Sequence, residues 1–105
     1  MKLYGLKSCA TCRKALKCLP DAEFIDVRKS GISEAVLTRA LADFGAALIN
    51  TRSTTWRQLD ASTRELPQMQ LLQSHPTLMK RPLIERDGEL FLGWTSQTRA
   101  ALGVD

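Results

Sequence analysis

The stretch Cys9-Ala10-Thr11-Cys12-Arg13-Lys14 decides how this chain is read, because two thiols three residues apart stand where a short strand hands over to a helix. Upstream, residues 2–6 alternate, with Leu3 and Gly5 against Lys2, Tyr4 and Leu6, and end at Lys7-Ser8, which predicts a first strand. Downstream, Cys12, Ala15, Leu16 and Leu19 fall on one face of a helix from Ala10 to Leu19 that Pro20-Asp21 stops. Glu23-Phe24-Ile25-Asp26-Val27 predicts a second strand, and a helix between two strands makes a parallel crossover the default.

Farther out, Ser33 is placed to cap a helix from Glu34 to Phe44 that Gly45 ends. Residues 46–75 carry a short apolar stretch, the polar turn Asn50–Thr55 and two short helical patterns, around Trp56–Asp60 and Pro67–Ser74, with Pro67 suited to a first turn and His75-Pro76 closing the segment. This predicts a helical insertion. Leu83–Arg86, the turn Asp87-Gly88 and Glu89–Gly93 predict a β-hairpin, since Asp-Gly supplies the positive φ angles of a tight turn. Thr95 or Ser96 then caps a last helix running to Leu102, with Gly103 after it. The order β-α-β, helical block, β-β-α predicts an α/β fold over residues 1–105, one domain: a thioredoxin-like mixed four-stranded sheet with a helical insertion.

Bulk properties narrow the function. With 105 residues, 44% hydrophobic and 25% charged, the chain is sized for a core without disulfide or metal staples. The start Met1–Leu6 lacks the pattern of a secretory signal, and no apolar run approaches the ~20 residues that span a bilayer, so a cytoplasmic protein with no membrane association is expected. In a reducing compartment a CxxC pair is more often catalytic or metal-binding than a staple. Fifteen Lys and Arg against eleven Asp and Glu give a net charge of +4, which suits a small anionic substrate. Basic runs interleaved with aromatics are missing, so direct nucleic-acid binding is not expected.

A nucleophilic cysteine has to be a thiolate, and a free thiol with a pKa near ~8.5 is only a few per cent ionised at neutral pH. Cys9 precedes the helix, where unpaired N–H groups and the positive end of the helix dipole favour a thiolate, and Arg13 and Lys14 add cationic charge. Cys12, one turn on, has the reach of a resolving thiol. The competing reading of CxxC as half a zinc site lacks a second half, since Cys18 and His75 are isolated, and no metal is expected. Cys18 is expected as a semi-buried packing residue, and Trp56 and Trp94 as core. Arg81-Pro82, just before the third strand, offers a cis or trans proline and an arginine for an anion; Arg52 and Arg57 flank Trp56 in a second conceivable anion loop.

Tyr4, the Cys9–Ala15 run, Asn50-Thr51-Arg52 followed by Trp56-Arg57 and Leu59, the stretch His75-Pro76 to Ile84, and Gly93 before an aromatic together resemble the arsenate reductase (ArsC) family, in its YffB and Spx branch, across nearly the whole chain. The resemblance implies Cys9 as nucleophile, Arg13 near its thiolate, Arg81 as an oxyanion or thiol-ligand contact, Pro82 cis, and Arg52 as the nearest counterpart of a further family arginine. It implies no tightly bound cofactor, glutathione as co-substrate, and glutaredoxin or thioredoxin as partner. Two departures bear on arsenate: Cys12 replaces the serine that many family members carry three residues after the nucleophile, and Gly93-Trp94 stands where those enzymes place an arsenate-binding arginine. The expected function is a thiol-dependent, glutathione-linked reductase acting on a disulfide or a small anion. The alternative is an Spx-like redox-sensing regulator that binds RNA polymerase, and a third reading keeps the fold with two inert thiols.

Overall fold

In the computed structural model, which describes residues 1–104, four strands form one mixed sheet. β1 (Lys2–Gly5) pairs parallel with β2 (Glu23–Asp26) and antiparallel with β3 (Leu83–Arg86), which pairs antiparallel with β4 (Glu89–Leu92). The order across the sheet is therefore β2-β1-β3-β4, the expected thioredoxin-like arrangement. Leu3, Tyr4 and Gly5 are all buried, where alternation put only one face inward; β1 is a central strand with a neighbour on each side.

The chain divides into two compact units: residues 1–27 with the segment from Arg81 onward, and residues 28–80. In the first, α1 (Ala10–Cys18) connects β1 to β2, and α7 (Ser96–Ala101) follows the hairpin. Their apolar faces join the sheet in one cluster of Leu3, Cys12, Ala15, Leu19, Ile84 and Leu102, with Phe24, Phe91 and Trp94 half-buried against it. Each fully buried Leu or Ile there contributes roughly 1.5–3 kcal/mol. Asp87 and Gly88 at the hairpin tip both have positive φ, 51° and 82°, as an Asp-Gly turn requires. Thr95 caps α7, its hydroxyl accepting from Thr98 N–H at 3.1 Å.

The 28–80 unit is helical. α2 (Val27–Ser30), a single turn at the boundary, takes residues that the sequence pattern left in or after the second strand. α3 (Glu34–Phe44) opens on Ser33, whose Oγ accepts from Val36 N–H at 3.3 Å, and packs against α6 (Gln68–Ser74) through an interior that includes Leu37, Leu48, Leu71 and Leu72. 3-10 turns at Gly45–Leu48 and Pro76–Leu78 are tied by Lys80 N–H to Leu48 O and Asn50 N–H to Leu78 O, both 2.8 Å. The helix expected around Trp56–Asp60 is two: α4 (Thr54–Gln58) and α5 (Ala61–Arg64). Side chains set those limits, since Ser53 accepts from Trp56 N–H at 3.1 Å and Asp60 from Thr63 N–H at 2.7 Å. Arg64 closes α4 by donating to Trp56 O at 3.0 Å, its guanidinium 5.2 Å over the half-buried Trp56 ring. Pro67 stands just outside α6 as its N-cap.

Candidate thiol-redox site

Cys9 is the N-cap of α1, with extended backbone (φ −82°, ψ 117°). Its N–H donates to Leu6 O at 3.1 Å and its carbonyl accepts from Arg13 N–H at 3.0 Å, so the loop from β1 is locked to the helix start. The first N–H groups of a helix have no intrahelical acceptor and carry its positive partial charge. No strict capping bond closes at Cys9, yet the N–H groups of Thr11 and Cys12 face its half-buried sulfur, as do the Cys12 thiol and the Arg81 guanidinium. Burial alone would raise this thiol; the hydrogen bonds from Cys12, Thr11 and Arg81 outweigh it and hold Cys9 below its ordinary value.

Cys12 is the opposite case. It is 0% exposed within the apolar cluster of the sheet. Desolvation dominates, the hydrogen bond and charge of Cys9 add to it, and the Leu6 N–H and Arg81 offset only part, so the thiol is pushed from 9.0 to about 11. Of the two thiols, Cys9 is the one held toward its thiolate.

Gly5 lies directly under this second thiol. A Cβ there would stand 2.5 Å from Cys12 Sγ and 3.3 Å from Cys12 Cβ. The strand alternation treated Gly5 as an inward residue like any other; the overlooked signal was a glycine in a strand interior, which often marks a close approach. Leu6 likewise escaped notice, although its carbonyl takes the Cys9 N–H and its N–H faces the Cys12 sulfur.

The Arg81–Pro82 peptide bond is cis, and Pro82 O accepts from Gly93 N–H at 2.8 Å. Pro82 is buried and Arg81 partly so, with the guanidinium reaching Cys9 from the segment entering β3. Arg13, expected near the thiolate, is exposed and donates to Lys7 O at 3.3 Å, bracing the loop before Cys9. Arg52 is exposed in the 28–80 unit, where its N–H donates to Asn50 Oδ1 at 3.0 Å; Cys12, Thr11 and Arg81, which lower Cys9, belong to Cys9's own unit. Cys18 is exposed rather than semi-buried, since it falls off the α1 stripe that Cys12, Ala15 and Leu19 bury. Trp94 is half-buried rather than core, and His75 is the half-buried C-cap of α6. Among the described residues no three His, Cys, Asp or Glu side chains gather as metal ligands, and no helix is long and apolar enough to cross a membrane.

A thioredoxin-like sheet with a CxxC at the head of its first helix and a cis-proline before β3 defines a thiol-bearing protein of the thioredoxin-like class. Within that class, the ArsC family model matches residues 4–102, and the chain belongs to the ArsC family, in its YffB and Spx-like branch. A Haemophilus influenzae protein of uncharacterized function is 38% identical, the match covering 90% of this chain and 91% of that one. The global transcriptional regulator Spx of Bacillus subtilis is 29% identical over 88% of this chain and 78% of its own. Among solved structures, a YFFB protein superposes with a TM-score of 0.85 at 31% identity, covering 95% of this chain and 96% of that one. An arsenate reductase (ArsC) related protein from Brucella melitensis superposes with a TM-score of 0.70 at 32% identity, covering 98% and 94%.

Proposed function

We propose that the chain is a thiol-dependent reductase in which Cys9 attacks and Cys12 resolves, with glutathione as the co-substrate that restores the dithiol. The observation that carries this reading is the asymmetry of the two thiols: a half-buried Cys9 lowered by helix N–H groups and Arg81, over a sealed Cys12 raised to about 11. Cys9 thiolate attacks one sulfur of a disulfide, displacing a thiolate and leaving a mixed disulfide on Cys9. Cys12 then attacks Cys9 Sγ, the Cys9–Cys12 bond forms, and the second thiol leaves with the proton Cys12 gives up. Two glutathione molecules reduce the protein disulfide, becoming oxidised glutathione.

Substrate capture also readies the resolver. The negative charge and hydrogen bond of Cys9 are among the causes that hold Cys12 up, and both vanish once Cys9 is in a mixed disulfide, while Arg81 continues to favour a Cys12 thiolate. Arsenate is a weaker fit than a disulfide, because Gly93-Trp94, directly after the last strand, supplies no guanidinium where the resembling enzymes place one, and bidentate arginine contacts both hold and orient an oxyanion.

The test is turnover of reduced protein with a small disulfide and, separately, with arsenate, using glutathione plus glutaredoxin or using thioredoxin. Disulfide turnover with glutathione that is abolished in Cys9→Ser is expected, and full activity in Cys9→Ser would sink the reading. The likeness to Spx favours a second reading, in which the CxxC is a redox switch for binding RNA polymerase in the cytoplasm. Capture of polymerase that depends on the Cys9–Cys12 oxidation state, without glutathione turnover, would select it.

A further inference from the structure

Gly5 has no conformational reason to be glycine. Its φ lies outside the left-handed region, it pairs in register with Asp26 of β2, and any residue adopts such backbone. What excludes a side chain is Cys12 Sγ, 2.5 Å from where a Cβ would stand. Real Cβ atoms do not tolerate that distance, so Cys12 or the strand has to shift, and Cys12 is fully buried in a cluster with Leu3, Ile84 and Leu102, where a shift of the sulfur disturbs packed neighbours. The next residue, Leu6, touches both cysteines: its carbonyl accepts the Cys9 N–H at 3.1 Å, and its N–H faces the Cys12 sulfur. One strand end therefore fixes the places of both members of the CxxC.

We propose that Gly5 and the Leu6 N–H form a cradle for the Cys12 sulfur, and that Gly5 is the positioning residue for the resolving step. The proposal rests on Cys12 acting as resolver. In that step Cys12 Sγ bonds to Cys9 Sγ, the bond from Cys9 Sγ to the substrate sulfur breaks, and the electron pair and the Cys12 proton leave with the substrate thiol. In-line attack needs the three sulfurs aligned, and a misplacement on the order of 1 Å can cost about 100-fold. A methyl at position 5 moves the Cys12 sulfur off the strand and out of that line.

Two-step release of 2-nitro-5-thiobenzoate from its symmetric disulfide separates attack from resolution, in a Cys18→Ser background that removes the exposed third thiol. The first release reports Cys9 and the second reports Cys12. With Gly5→Ala the second release is expected to slow about tenfold or more while the first changes by less than about threefold. An undiminished second release in Gly5→Ala overturns the cradle alone; a second release missing from the Gly5 protein overturns Cys12 as resolver and the cradle with it. Urea midpoints test the contact apart from the chemistry. Gly5→Ala lowers the midpoint, and most of the loss disappears in a Cys12→Ala background, where no sulfur meets the new methyl. A loss of equal size in that background overturns the proposal, as does failure of the double variant to fold.

Discussion

The strand-bearing unit and the 28–80 unit are held by different means, and the CxxC sits in the one built from distant pieces of chain. In the first, Cys9 and Cys12 follow β1 while Arg81 and Pro82 precede β3, and the antiparallel register Tyr4↔Leu83 brings the two segments to the same end of the sheet. In the second, limits are set locally, by the Ser33, Ser53 and Asp60 caps and by Arg64 over Trp56. Local caps suffice to end a helix. Placing a guanidinium on a thiolate 72 positions away (81 − 9) takes a sheet.

The contrast can be broken first in the core. Ile84→Ala, next to Cys12 in the apolar cluster, should cost about 2–5 kcal/mol and expose the second thiol. Iodoacetamide labelling of Cys12, expected to be slow in the native protein because the thiol is fully buried, should accelerate; a Cys12 as protected as before would show that Ile84 is not what seals it. The next largest effect is that of alkali. Because the folded Cys12 thiol is raised from 9.0 to about 11, its contribution is fully present below pH 9 and is lost as pH climbs toward 11. The urea midpoint of reduced protein should fall through that window by more than that of Cys12→Ala, and parallel curves would contradict the burial cost.

Substitutions in the 28–80 unit sharpen the comparison from the other side. Asp60→Ala removes the α5 cap and should lower the denaturant midpoint, with the Cys9 titration unmoved. Smallest is Arg52→Ala: no change in the Cys9 titration, any effect being confined to KM for an anionic substrate. A shifted thiol midpoint in either variant would place an influence on Cys9 outside its own unit.

The same contrast explains what was legible in the sequence. The four strands, α1, α3 and α7 were readable because their signals are local: the stripe of Cys12, Ala15 and Leu19, the Ser33 and Thr95 caps, and Asp87-Gly88 at the hairpin. The pattern around Trp56–Asp60 gives one helix where the structure has α4 and then α5, because capping hydrogen bonds, not apolar spacing, place them. At the site, the helix start identified Cys9 and its N–H groups. The guanidinium acting on it was less visible: Arg13 is near in sequence but turns to Lys7 O, while Arg81 arrives only through strand pairing. The Gly5 contact with Cys12 is short in sequence but joins a strand to the following helix, so neither element's own pattern shows it.

The central claim is that Cys9 is a lowered, nucleophilic thiol because Arg81 and the first turn of α1 act on it. Its most direct measurement is the rate of Cys9 alkylation against pH in Cys18→Ser protein, with and without Arg81→Ala. The account predicts a midpoint below that of a free cysteine measured alongside, moving upward when the guanidinium is removed. A midpoint at the free-thiol value, or one that Arg81→Ala leaves in place, would contradict it.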